Sequence, residues 1–461
     1  MSKIEILIFS IFLLLGVVFL IYLFSIVKTL FYRNKEKKVL NIKENNEELS
    51  KIYADKLYDL LKIKTTSYET GEAYHVFREK VKELFPLVHK YFVKEKLGPN
   101  AIFTYKSKKE NSKNVLIVTH IDTTKDIIDA KITNNEIYGS GAFDSKALFF
   151  VVLQSIEEYL AQNEKFDIDL TVVMTVDDIS TKEGNERIVN KFLKQGSFFH
   201  LVIEEGVGII DPIYFKMRSH YALLGIGVTG EVKIRYKVLK TRGLSVLEEY
   251  IEDITKNKIF KSQIDKNTIK ILNALSKDMP FKNRLLFSNI WLYKPLVKKM
   301  IDNDTSDFSN LLKTHFHKLN YQEDDNYYYT DLVFELATHD TTAEIVGLLS
   351  PYVKKHGIEY ELKMVKDPSK VTSMSMEGYK VVKKAIFSTY KDLYVAPYII
   401  NKIAEQRYLS RVSDCVIRYS PLYYPYQALE DAKKNEEHIM KKSLIYGINF
   451  YKNIFHYYEE D

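Results

Sequence analysis

The hydrophobic pattern sets an N-terminal stretch apart from everything that follows. Ile6 to Val27 carries no charge and consists of Ile, Leu, Val, Phe and small residues. As a helix it is long enough to cross a hydrocarbon core of roughly 30 Å. The pattern therefore predicts a transmembrane helix over 4–28, followed by a charged and polar juxtamembrane linker over 29–49. A cleaved signal peptide is the rival reading, but the apolar run is too long for one and lacks Ala-x-Ala spacing near its end.

From about Ser50 the periodicity changes to that of a folded domain. An amphipathic helix is predicted over Tyr53 to Ile63, and apolar strands over Val115 to Val118 and Leu170 to Thr175. Short apolar strands between helices indicate an α/β sheet. A second alternation starts near Tyr221. Tyr221 to Val228, Val232 to Val238 and Asp331 to Leu336 read as strands, and Leu247 to Thr255 and Thr342 to His356 as helices. α/β character returns after Val371. The division predicted is α/β domain over 50–215, inserted α+β domain over 216–366, and the rest of the α/β domain over 367–461.

Composition changes this picture little. The 461 residues, 46% of them hydrophobic, can bury a large core and fill two or three domain-sized units. A net charge of +6 on 67 basic and 61 acidic residues, with no block resembling a nucleic-acid footprint, removes DNA and RNA as expected partners. Local charge says more. Lys28, Arg33, Lys35, Lys37 and Lys38 follow the apolar run against Glu36, whereas Lys3 and Glu5 precede it. The positive-inside rule then places the large domain in the cytoplasm, with an extracytoplasmic domain as the alternative. The single cysteine, Cys415, excludes an internal disulfide framework and a Cys-rich zinc site, so a metal here must use His and carboxylate ligands.

Four segments bring such ligands to strand ends, where open α/β sheets bind their ligands. The strand Val115 to Asp122 closes on His120 and Asp122. Ile137 to Lys146 uses two glycines to deliver Asp144 to the start of an apolar helix, where the same Asp could also act as an N-cap. Leu170 to Asp178 closes on Asp177 and Asp178, and Leu201 to Gly206 on Glu204 and Glu205. One imidazole and several carboxylates are a ligand mix that zinc and hard divalent cations accept.

In order and spacing these segments resemble metallopeptidase family 20, especially its carboxypeptidase S and N-acyl-amino-acid hydrolase branch. That family shows His-x-Asp, then Gly-Arg-Gly-x-x-Asp-x-Lys, then Asp-Glu-Glu, then Asp-Glu-Gly. Ser288 to Leu292, Gly378-Tyr379, Val395-Ala396-Pro397, Arg418-Tyr419-Ser420-Pro421 and Tyr446 to Tyr451 extend the likeness along the chain. The resemblance implies a three-layer α/β catalytic domain of zinc-peptidase type with a smaller inserted α+β lid and dimerisation domain, and hence a possible homodimer. It implies cleavage of a small peptide or an N-acyl amino acid by metal-activated water.

Carried over residue by residue, the resemblance gives one zinc to His120, Asp144 and Glu204, with Asp122 orienting His120 and Asp144 bridging to a second metal. The remaining positions depart from the family. The second metal's ligands fall on Asp178, shorter than Glu by one methylene, and on Ala432, which cannot ligate; His438 lies beyond the position required. The general base falls on Asp177. Leu244 stands where the family has an oxyanion-steadying His, and Glu335 where it has a substrate-binding Arg, while Arg407 is retained and could bind a substrate carboxylate. The expectation is one zinc at most, or none if the chain is a lapsed enzyme acting as a membrane-tethered binding or scaffold protein.

Overall fold

The computed structural model describes residues 3–43, 46–66, 71–124, 128–163, 165–176, 184–215, 217–302, 312–401 and 405–458. Asp177 and Asp178 lie outside these residues, as does the side chain of Arg407. The chain opens with α1 (Lys3–Phe31), long and apolar enough to cross a membrane by length and composition. None of its apolar window is buried, unlike a core helix, and only Ser25 and Thr29 in its last turns are buried.

A nine-stranded mixed sheet forms the centre of the main domain. In chain order its strands are β1 (Val93–Leu97), β2 (Asn100–Tyr105), β3 (Asn114–His120), β4 (Asp169–Thr175), β5 (Leu201–Glu204), β6 (Gly208–Ile210) and β7 (Tyr221–Val228). After the strands of the inserted unit, β8 (Gly230–Leu239), β9 (His315–Lys318), β10 (Tyr327–Leu336) and β11 (Glu359–Lys366), come β12 (Tyr394–Ile400) and β13 (Val416–Arg418). The order across the sheet is β1-β2-β4-β3-β5-β13-β7-β12, with β6 on β7. The inner strands β4, β3, β5 and β13 run parallel.

Their sequences are apolar at almost every position because both faces are covered. Val115, Ile117, Leu170, Val172, Leu201 and Ile203 point into one core, packed by Glu47–Leu61, Lys146–Asn163, Glu377–Thr389 and Lys441–Tyr457. Leu116, Val118, Val173 and Val202 point into the other, against Ile188, Val189 and Phe192 of Gly184–Lys194 and against Leu409 and Val412. This is a three-layer α/β domain. Lys146–Asn163 lies deepest: Phe149 to Leu153 are fully buried, each worth about 1.5–3 kcal/mol of burial.

The inserted α+β unit is a five-stranded antiparallel sheet, β9-β10-β8-β11 with Gln322–Glu323 on β10, covered by Ser245–Lys256 and Thr342–His356. Two features differ from the sequence expectation. Tyr221–Val228 belongs to the large sheet, pairing with β12 and β13, so the smaller sheet opens at Gly230. The described residues from Ile264 to Ile301 also pack into the main core, through Ile271, Leu275, Phe287, Val297 and Ile301. The inserted block thus returns to the main domain midway along its length.

Candidate metal site

β3 lies between two parallel neighbours, paired with β4 from Asn114 to His120 and with β5 from Val115 to Val118, and the β4 pairing fixes where its last side chain emerges. His120 is buried, and its Nε2 lies 2.8 Å from Asp144 Oδ1 and 3.3 Å from Glu205 Oε2. On the other side of the ring, Nδ1 lies 3.2 Å from the Asp122 carbonyl and 3.3 Å from the fully buried Asp122 carboxylate. A carboxylate behind a ligating imidazole fixes its tautomer and orientation. His120, Asp144 and Glu205 each bring one ligand atom within 4.8 Å of the others, the one such cluster among the described residues.

Asp144 arrives on a tightly tied turn. Gly141 adopts φ 94°, and a Cβ there would meet Lys146 Cγ at 2.7 Å, so the turn requires glycine. Glu437 Oε2 accepts N–H groups from Gly141, Phe143 and Asp144 at 2.8, 3.1 and 3.4 Å. Tyr424 donates its hydroxyl to the Ala142 and Phe143 carbonyls and packs its ring on Phe143 at 4.7 Å. Neither Glu437 nor Tyr424 stood out in the sequence, since each acts on the backbone of a loop far away in the chain.

Glu205 and Glu204 part at the end of β5. Glu204, on the strand face of Val202, accepts from Asn185 Nδ2 at 3.3 Å and lies 3.4 Å from Nε of the fully buried Arg418. Glu205, the first residue past the strand, turns to His120. The carboxylate joining His120 and Asp144 is therefore Glu205 rather than the expected Glu204. Gly206 makes the departure possible, because a Cβ there would lie 2.3 Å from the Arg418 carbonyl carbon.

The two clustered carboxylates draw positive charge to this point, from a proton on the imidazole or from a cation. Burial and the neighbouring Asp144 charge push Glu205 up to about 7. Burial alone would hold His120 down, but Asp144 and Glu205 raise it well above the ordinary histidine range. One imidazole nitrogen with two carboxylates fits zinc and leaves a fourth position for water or substrate. The described residues place one zinc-sized ion at most. Ala432 ends the helix Tyr426–Ala432, and His438 stacks on Tyr138 with its nitrogens at Asp431 and Glu136, 3.3 and 3.4 Å away. Leu244 precedes Ser245–Lys256 and packs on the core of the inserted unit, and Glu335 sits in β10 between Glu231 and His315.

No family model matches the chain. A probable carboxypeptidase S-like protein 2 of Dictyostelium discoideum is 20% identical over 407 residues, covering 82% of this chain and 78% of its own. The N-fatty-acyl-amino acid synthase/hydrolase PM20D1 of Xenopus tropicalis is 21% identical over 449 residues, covering 89% and 86%. Among solved structures, an M20 family metallo-carboxypeptidase from Sulfolobus solfataricus superposes with TM-score 0.59 at 16% identity, over 89% of this chain and 99% of that one. The aminopeptidase PepT from Bacillus cereus gives 0.58 at 10% identity with the same coverage. At such identities the shared feature is the fold.

Proposed function

We propose, from the premise that this chain has an M20 metallopeptidase-like fold with an atypical, reduced metal site, that it is a membrane-anchored, single-metal amidohydrolase. Its substrates are N-acyl amino acids or small peptides, a reading supported by the names of the two relatives described above, one carboxypeptidase S-like and one an N-fatty-acyl-amino acid synthase/hydrolase. The observation that carries the reading is the convergence of His120 Nε2, Asp144 Oδ1 and Glu205 Oε2, with Asp122 behind the imidazole. A bound divalent cation supplies a Lewis acid and makes water a nucleophile near neutral pH.

The chain's own residues then divide the remaining work. Asp122 keeps the His120 ring in place, and Glu437 and Tyr424 hold the Asp144 turn against the sheet. Asp177 is assigned as the base that takes a proton from the attacking water and passes it to the departing amine, and Arg407 as the partner of the substrate carboxylate. α1 is the anchor, and the basic residues after it keep the domain in the cytoplasm.

A lapsed enzyme is the second reading, favoured by Leu244 and Glu335, which supply neither the oxyanion donor nor the carboxylate-binding cation expected from the resemblance. The two readings separate on hydrolysis of N-acyl amino acids and dipeptides by the purified full chain, with His120→Ala as the control. Turnover well above that control supports the amidohydrolase. Turnover equal to the control, with zinc bound, supports the binding protein.

A further inference from the structure

The end of α1 and the residues after it are tied to the folded domain at one corner. Asn34 donates its backbone N–H to the Lys277 carbonyl at 3.3 Å and its Nδ2 to the Tyr221 hydroxyl at 2.9 Å. The Lys28 and Lys277 ammonium groups lie 5.9 and 5.4 Å from the centre of the Tyr32 ring. Arg284 donates Nε to the Thr29 carbonyl at 3.2 Å and Nη1 to the Met279 carbonyl at 3.1 Å. Arg218 enters from another part of the chain, its backbone N–H donating to Asp278 Oδ2 at 2.9 Å.

The charges at this corner do not balance. Lys28, Arg33, Arg218, Lys277 and Arg284 gather around one buried carboxylate, Asp278. Arg284 is buried, and burial together with repulsion from Arg33 and Arg218 holds its guanidinium below the ordinary arginine value, against the opposing pull of Asp278. Arg218 Nη1 is buried with no hydrogen-bond acceptor among the described residues. Asp278 does not supply one, since its Oδ2 takes the Arg218 backbone N–H and its buried Oδ1 makes no hydrogen bond among these residues. A buried donor without an acceptor is costly, and a guanidinium is the donor best matched to phosphate.

α1 itself sets the level of the corner. At 1.5 Å per residue, roughly 20 residues cover the hydrocarbon core, so a span opening at Ile6 leaves it near Ser25. Lys28 to Asn34, and the groups bonded to them, then lie among the lipid headgroups.

We infer that Arg33, Arg218 and Arg284, with Lys28 and Lys277 beside them, form a site for the phosphate of an anionic lipid headgroup at the foot of α1. The inference rests on the anchored reading proposed above and goes beyond it by naming what the foot of the anchor binds. A phosphomonoester headgroup suits the site best, because its free oxygens can each accept from a guanidinium fork.

Arg33 is exposed and Arg218 Nη1 has no partner among the described residues, so Arg33→Gln with Arg218→Gln removes charge without removing a fold contact. Lys108→Gln with Lys109→Gln removes the same charge from an exposed loop of the main domain. The full chain in detergent is titrated with phosphatidic acid or phosphatidylcholine and read by native mass spectrometry, with inorganic phosphate as competitor. Carbonate extraction of the membranes reads the anchor. The inference expects carbonate resistance and one phosphatidic acid held about 10–30-fold more tightly than phosphatidylcholine, displaced by inorganic phosphate. That preference is expected to be lost in the arginine variant and kept in the lysine variant. Carbonate resistance with equal affinity for the two lipids, or with equal losses in the two variants, would overturn the site and leave the anchor standing. Binding of inorganic phosphate without any lipid preference would overturn the lipid as its occupant. Release by carbonate would overturn the anchor, and the lipid site with it.

Discussion

Glu204 and Glu205 are adjacent, chemically identical and placed in different work. Glu204 neutralises the fully buried Arg418, and Glu205 faces His120. Glu204→Gln leaves a buried guanidinium without its counter-charge, so it is expected to cost about 3–5 kcal/mol in chemical denaturation while sparing metal binding. Glu205→Gln is expected to do the reverse. The Asp144 turn gives a further prediction. Glu437→Ala removes the acceptor of three backbone N–H groups, and is expected to weaken zinc affinity about 10–100-fold in competition with a chelator. The sequence made it plain that carboxylates gather at the ends of these strands, since His120, Asp144 and the glutamate pair follow apolar runs. It could not choose between 204 and 205. Period-two alternation fixes the facing of residues within a strand, but the first residue beyond it takes whatever direction the loop allows, here set by Gly206 against the Arg418 backbone.

At the scale of elements, local signals were readable where they are complete within a few residues. Thr342–His356 has a reciprocal capping box between Thr341 and Glu344 and ends at Gly357 in the left-handed conformation. The inner strands were readable because burial on both faces leaves them uniformly apolar. The assignment of an element to a core was not readable, and both Tyr221–Val228 and the helices of 266–302 show why: the partner surface lies far away in the chain. Strand pairing in the inserted unit supplies its own test. Asp331 stands directly opposite Arg235 across β8 and β10, accepting from its Nε at 2.7 Å and pairing with Lys233 at 3.0 Å. The Arg235 hydrogen bond, aided by Lys233 and opposed by burial, holds the Asp331 carboxyl below its ordinary value of 3.8. A depressed carboxyl stabilises the fold above its unfolded pKa, and that contribution is lost as pH falls through the folded one. Asp331→Asn should therefore cost about 2 kcal/mol at neutral pH. The difference from wild type should shrink once pH drops below 3.8, as denaturation curves at the two conditions will record.

For the whole molecule, the apolar helix and the α/β domain are distinct in the sequence because their hydrophobic patterns differ, continuous in one and periodic in the other. Their docking was not evident, since it is made by polar groups such as Ser25, Thr29, Arg284 and Asn289, which have no periodic signature. The basic residues after α1 predict that protease added to intact cells leaves the domain uncut, and cleavage would place it on the outer side. The central claim is that this fold retains one metal site, built on His120, Asp144 and Glu205. Its most direct test is the zinc content of the purified full chain beside His120→Ala, Glu205→Gln and Glu204→Gln. The account predicts one zinc per chain in the wild type and in folded Glu204→Gln, and none in the other two. Two zinc ions per chain, none in the wild type, or zinc kept by Glu205→Gln and lost by Glu204→Gln would contradict it.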